Sequence, residues 1–368
     1  MSYIRFGIKG IPFKYKGAID VTDCQTSEDC IKKAGLDWEV AKCELVAKMP
    51  LPREGEDRYL GVDNILDDNF FFKGDSMFRN CPNAYATYRT DKNIPLGIVK
   101  ERYTEVQNKE AFKFFDDAIG KDKALWQTAG FFGNGERIFV SAKLPDDVVV
   151  KGDVVNNYLV FTTSHDGSTG IKILFTPIRV VCENTLNAAI RNASNYVSFR
   201  HTKSVHENIS AADEILGISK IITKTLQDEF NYMTTINMDD DQVANLFADV
   251  ILSEAEKAKL LATGHTVQQL IFKQWNALND SDISTRKANI ISDMYNYYFS
   301  GPGQKEFLGT AWGAYNAVTG YYSNIDKVEG SKRMDALLYG SKGEKIRETS
   351  DLLLNRDLYK PSKQMYAI

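Results

Sequence analysis

Apolar positions recur at two different spacings along this chain, and the change falls near residue 204. Upstream, short runs alternate apolar and polar residues, the two-residue period of half-buried strands; downstream, they return every three or four positions, the period of helices packed by one face. From Tyr88 the run IPLGIVKERYTEV predicts one or two strands. Asn108 then stands where it would cap a helix KEAFKFFDDAI, with Ala111, Phe114, Phe115 and Ala118 on one side and Gly120 ending it. WQTAGFF and ERIFVSAKL flank Gly133-Asn134-Gly135, where positive φ is cheap, and predict a first hairpin. NYLVFTTSH and GIKILFTPIRVV flank Asp166-Gly167-Ser168-Thr169 and predict a second. Pro177 has no N–H for a ladder, so its strand either bulges there or lies at an edge. Asn184 is placed to cap a helix over TLNAAIRNASNYV, with Leu186, Ala189, Ile190, Ala193 and Val197 on one face and Asn187, Arg191 and Asn195 on the other.

Beyond Ser204 the pattern is helical. Ser210 with Asp213 resembles a capping pair opening a segment that carries Ile215, Ile218, Ile222, Leu226 and Phe230. Further helical runs are read around Val243 to Leu261, Thr266 to Leu278, Lys287 to Phe299, Thr310 to Tyr322 and Lys345 to Leu354, with no fixed-period repeat. The segment LPREGEDRYLGVDNILDDNFFFKGDSM reads as irregular and acidic around an aromatic cluster. The predicted fold is therefore α+β: an N-terminal arm or ancillary layer over 1–84, an antiparallel hairpin or meander core flanked by helices over 85–203, and a helical C-terminal region over 204–368. At 368 residues the chain exceeds the usual reach of one hydrophobic core, which calls for two packed regions or one domain with a large helical appendage.

Composition narrows the class. An apolar fraction of 43% and a charged fraction of 26% are those of a soluble globular protein. No run approaches the roughly 20 apolar residues of a membrane helix, and the opening MSYIRFGIKGIPFKYKG is too interrupted for a secretory signal, so a bacterial cytoplasmic protein without membrane contact is expected. Five cysteines without a CxxC pair argue against a disulfide framework or zinc ribbon. Net charge −4 denies a whole-molecule attraction for nucleic acid. Locally the balance reverses: Ile171 to Ser204 holds Lys172, Arg179, Arg191, Arg200 and Lys203 with His201, against the single acid Glu183.

Catalytic patterns fail on geometry. Ser164, His165 and Asp166 are consecutive, and consecutive strand residues point to alternate faces, so they do not line up as nucleophile, base and orienter. His201 and His206 lack the spacing of a metal-binding helix, Asp239-Asp240-Asp241 reads as an acidic helix start, and the glycine turns lack the Lys-Ser/Thr of a phosphate-cradling loop. Neither cofactor nor metal is expected, and no enzyme activity. Cys182, in an apolar run, reads as an inert buried thiol.

Ordered motifs carry a resemblance: GLDWEV near Trp38, YRTD at Tyr88, LGIVKERYTEVQN, TAGFFGNGERIFVSAKLP, TTSHDGS, TPIRVVCENTL, RHT at Arg200 and TAWGAYNAVTGYYS near Trp312. In these the chain resembles the phage and plasmid family called domain of unknown function 932, departing at Thr163 and Glu183. The resemblance implies a mobile-element protein of a bacterial cytoplasm. A remoter similarity, in element order alone, is to single-strand annealing proteins of the Rad fifty-two type, which assemble into rings.

A nucleic-acid groove needs cations for phosphates and flat side chains for bases. Lys172, Arg137, Arg179, Arg191, Arg200, His201 and Lys203 are the candidate phosphate contacts, and Phe131, Phe132, Tyr196 and Phe199 the candidate stacking surfaces. Lys172 and Arg179 are an odd number apart, so they serve one groove only if Pro177 marks a bulge. The expectation is a homo-oligomeric, ATP- and metal-independent protein that binds single-stranded DNA and promotes annealing in recombination. The competing expectation is a mobile-element protein that acts on a host or defence protein without touching nucleic acid.

Overall fold

The computed structural model describes residues 18–50, 70–74, 76–119, 125–179, 184–185, 196–202, 212–328, 332, 336–337 and 340–354. Their architecture is α+β, with two antiparallel sheets followed by helices. The larger sheet runs from β1 (Ala18–Asp20) on its edge; the smaller is built from β2 (Val40–Met49), β3 (Phe70–Lys73), β4 (Ser76–Arg89) and β5 (Ile94–Lys100). The larger continues with β6 (Leu125–Phe132), β7 (Arg137–Lys143), β8 (Val148–Val150), β9 (Asp153–Ser164), β10 (Ile171–Arg179), β11 (Asn184–Thr185) and β12 (Tyr196–Phe199). β7 and β8 lie end to end along one side of β9, and β12 and β11 end to end along the outer side of β10.

Both predicted hairpins form. Gly133 and Gly135 take φ of 60° and 122° between β6 and β7, and Gly167 takes 74° between β9 and β10. Side chains alternate across the large sheet, and one face, with Ile138, Val140, Leu159, Phe161, Ile171 and Ile173, joins the main core. Two helices meet that core: α1 (Ser27–Lys33) contributes Cys30, and α2 (Asn108–Ile119) contributes Ala111, Phe112 and Phe115. The rings of Phe112 and Phe115 pack against Trp126 at centroid distances of 5.9 and 5.7 Å. On the opposite face Phe132, Phe139, Val160 and Leu174 form a smaller separate cluster.

The helical region shares the main core with the sheet. Along Ala212–Met233, Ile222, Leu226 and Phe230 are buried, as their spacing predicts, and Phe230 lies 4.8 Å from Trp312, ring to ring. The helix Ala311–Gly320 is buried along its whole length. Asn231 ties this region to the sheet by donating to the Val149 carbonyl at 2.9 Å. The run read from Val243 to Leu261 is two helices, Asp240–Ile251 and Glu254–Ala262, because Ser253 and Glu256 form a capping box inside it. That from Thr266 to Leu278 divides into Val267–Ile271 and Trp275–Ser281. Asp239 begins the first of these helices as its N-cap, the acidic start expected there.

Three expectations need correction. Asn184–Thr185 and Tyr196–Phe199 are strands, not the two ends of a helix: Thr185 pairs with Ile178 and Val197 with Ile173, long-range partners that local spacing does not reveal. Residues 186–195 and the Ser210 cap lie outside the described residues. Asn108 does not cap α2; the Gln107 N–H is bonded instead by Glu110 at 2.9 Å, and the Asn108 side chain is committed elsewhere. Phe70–Lys73 and Ser76–Arg89 are strands and not irregular chain; within β4 the pairing with β2 shifts register between Asn80 and Tyr85.

The sheets meet where β5 passes the β9–β10 turn. A Cβ on Gly97 would collide with the Asp166 backbone at Cα, and Thr87 donates to the His165 carbonyl at 2.6 Å.

Candidate nucleic-acid interface

Strand register decides which of the predicted contacts share a surface. Phe132 pairs with Arg137, Arg137 with Ser164, and Lys172 with Thr162, so Phe132, Arg137 and Lys172 occupy the face opposite the main core. There the Arg137 guanidinium sits 5.6 Å from the centroid of Phe132. Phe132 itself is 6% exposed within the small cluster, so it is packing and not a platform for bases. The ladder from Lys172 to Arg179 has no register shift at Pro177. Positions 172 and 179 therefore fall on opposite faces, and the bulge that one groove required is not there. Pro177 instead lies in the interval between β12 and β11 on the outer side of β10. Phe131 and Phe199 are half-buried against the main core. Arg200 is exposed just beyond β12. Tyr196 pairs with Leu174, although its side chain and that of Arg179 lie outside the description, as do Arg191, Lys203 and Cys182 entirely.

His201 does not offer a charge to phosphate. It is 7% exposed, stacked on Tyr103 at 4.6 Å, with Nδ1 3.2 Å from the Thr104 carbonyl and Nε2 3.2 Å from Thr163 Oγ1. A carbonyl only accepts, so Nδ1 carries the proton and Nε2 accepts from the threonine hydroxyl. Burial lowers its pKa and holds it neutral. His165 is fully buried beside it. Asn108 donates to the Leu36 and Trp38 carbonyls at 3.0 and 3.2 Å, which turns its Oδ1 toward His165 Nε2 at 2.8 Å and fixes the proton on that nitrogen. Burial, then the neighbouring His201, push the pKa of His165 down to about 3. Ser164 Oγ donates to the Thr169 carbonyl at 2.6 Å and takes no part with His165. The two imidazoles are neutral fasteners at the junction of the sheets.

Exposed cations also lie on the smaller sheet, much of it within the segment expected to be an ancillary layer. Its four strands carry Lys42, Lys48, Lys73, Arg79, Arg89 and Lys100 against one acid, Glu44. Arg89 is used internally: it pairs with Asp91 at 2.8 Å, donates to the Asn134 carbonyl at 2.8 Å and lies 4.2 Å over the Trp38 ring. Lys42 donates to the Tyr103 carbonyl at 2.7 Å and lies 3.8 Å from the Glu105 carboxylate. Lys48, Lys73 and Lys100 are exposed, with no ion pair among the described residues. Toward the outer end, from Glu44 to Met49 and from Ser76 to Ala86, the described residues are half-buried or exposed and none is fully buried. Phe71, Val46 and Met49 are exposed at 47%, 38% and 39%. A signal was present in the alternation of VAKCELVAKM and in FFFKGDSMFRN, where cations interrupt apolar residues at strand spacing.

No curated protein and no solved structure matches this chain. The family model described as a domain of unknown function, DUF932, matches residues 95–353, from β5 through the last described helix. Well over half of the chain lies within that match, and the protein belongs to the DUF932 family.

Proposed function

We propose that this protein binds single-stranded DNA and promotes annealing of complementary strands in phage or plasmid recombination, using neither ATP nor a metal. The observation that carries the reading is a group of exposed strand lysines, Lys48, Lys73 and Lys100, with no ion pair among the described residues of a chain of net charge −4. Such a local surface displaces phosphate counterions while the rest of the molecule does not attract the strand. Annealing needs no reacting group: the protein holds one strand by its phosphates, and base pairing with the complement supplies the free energy. Strand β2 lies at the edge of the sheet, and assembly of copies side by side would extend the basic surface into a track.

A second reading has one observation in its favour. Ile98, paired with Ala86 on the same sheet and next to Gly97, is 64% exposed and offers apolar area to a host or defence protein. Salt separates the two. Binding of a labelled oligonucleotide, followed by fluorescence anisotropy, is expected at low ionic strength and should weaken steeply as salt rises. The annealing step is read by energy transfer between complementary labelled strands. No binding to a single strand at low salt overturns the proposal.

A further inference from the structure

We infer that the outer end of the smaller sheet is a base-stacking site, with Phe71 and Phe78 as its platform and Lys48 and Lys73 as its phosphate contacts; this rests on the single-strand reading above. Phe71 pairs with Phe78 across β3 and β4, and Lys48 pairs with Phe78 across β2 and β4. Lys73 pairs with Ser76, two residues from Phe78. Alternation then sets Lys48, Phe78, Phe71 and Lys73 on one face, with neighbouring strands about 5 Å apart and Lys73 about 7 Å along its strand from Phe71. The two rings are stacked, 5.3 Å between centroids and 11° between planes. Rings that fill a core are covered on both sides; Phe71 is 47% exposed and Phe78 is half-buried.

The charges on this surface select the occupant. Neither Lys48 nor Lys73 has an ion pair or hydrogen bond to a carboxylate among the described residues, and the nearest strand acid, Glu44, is reached by the Asn80 amide at 3.4 Å. A flat apolar platform between two ammonium groups fits a chain that carries aromatic rings and anions in alternation, which is an unpaired nucleic-acid strand. A duplex keeps its bases stacked on one another and offers them no ring faces. An apolar protein partner would leave both ammonium groups unanswered.

The test compares a short labelled oligothymidylate with an abasic strand of equal length, which has the phosphates but no bases. The full chain is expected to bind the oligothymidylate at least about tenfold more tightly, the scale of one or two base stacks. Phe71→Ala and Phe71→Leu should both lose that preference, while Phe71→Trp keeps it; Leu retains apolar bulk, so a merely structural role would be rescued by it. Lys48→Gln with Lys73→Gln should weaken both strands alike. Equal binding of the two strands by the wild type, or no change in Phe71→Leu, overturns the stacking site and leaves the single-strand reading standing. Wild-type binding to neither strand overturns both. A Phe71→Ala protein that changes its sedimentation but not its DNA affinity assigns the platform to self-association and overturns the inference.

Discussion

His165 is held neutral by its surroundings, and this makes stability depend on pH in a stated direction. Its folded pKa is pushed down to about 3 by burial and by His201, whereas an unfolded histidine titrates at about 6.5. Above that value both states are neutral and nothing is lost. Below it the unfolded chain takes up a proton that the folded one refuses, so stability falls as pH falls, down to the folded pKa. At up to about 1.4 kcal/mol per pH unit, roughly 2 kcal/mol is lost between pH 6.5 and 5. Glu256, lowered to about 2 chiefly by its bond to Lys287, acts in a lower window, below the ordinary carboxylate range near 4.5. Urea melts across this range should show the first loss in the wild type and a flatter profile in His165→Gln, whose amide still donates to Asn108. An unchanged profile in that variant would remove the histidine from the account. The sequence showed His165 as a strand end and Asn108 as a cap; the bond between them spans 57 positions and has no local signature.

Elements were legible where local chemistry sufficed and illegible where a distant partner decides. Both hairpins follow from glycine turns between β-branched runs, and the helix start near Asp239 from its acidic residues, whereas the break at Ser253 is hidden by apolar spacing that runs through it. Tyr196–Phe199 could not be read this way, since a four-residue run becomes a strand by adding to the free side of β10. The smaller sheet was missed for the same reason: β2 and β4 pair across an interval that holds β3 and residues outside the description. What fixes that sheet against the larger one is the close approach at Gly97, whose missing side chain lets the backbone at Asp166 come in. Gly97→Val must force the two apart, because backbone cannot move aside as a flexible side chain does. The expected cost is about 2 to 3 kcal/mol, the scale of overpacking a closely fitted contact. Thermal unfolding measures the loss. Hydrogen exchange should show it concentrated in β5 and the β9–β10 turn, and a variant as stable as the wild type would mean that the sheets are not held there.

At the scale of the whole molecule the anionic balance sits in the helical region, where residues 212–354 hold twenty carboxylates against fourteen cations, while residues 40–100, the strands of the smaller sheet with their connections, hold nine of each. Attraction of a polyanion therefore rests on exposed strand lysines and not on a net charge, and the number of phosphates it can reach is limited by the sheet. With Lys48 and Lys73 as contacts, the logarithm of affinity should fall against the logarithm of salt with a slope of about −1.4, at roughly −0.7 per phosphate for single strands. Lys48→Gln with Lys73→Gln removes both contacts and should bring the slope close to zero. Neutralising two lysines of the helical region, such as Lys305 and Lys327, should leave it where it was. An equal change from both pairs would show diffuse attraction and no interface. A slope near zero in the wild type would favour docking through the exposed apolar residues of the same sheet, since burial of apolar area does not release counterions.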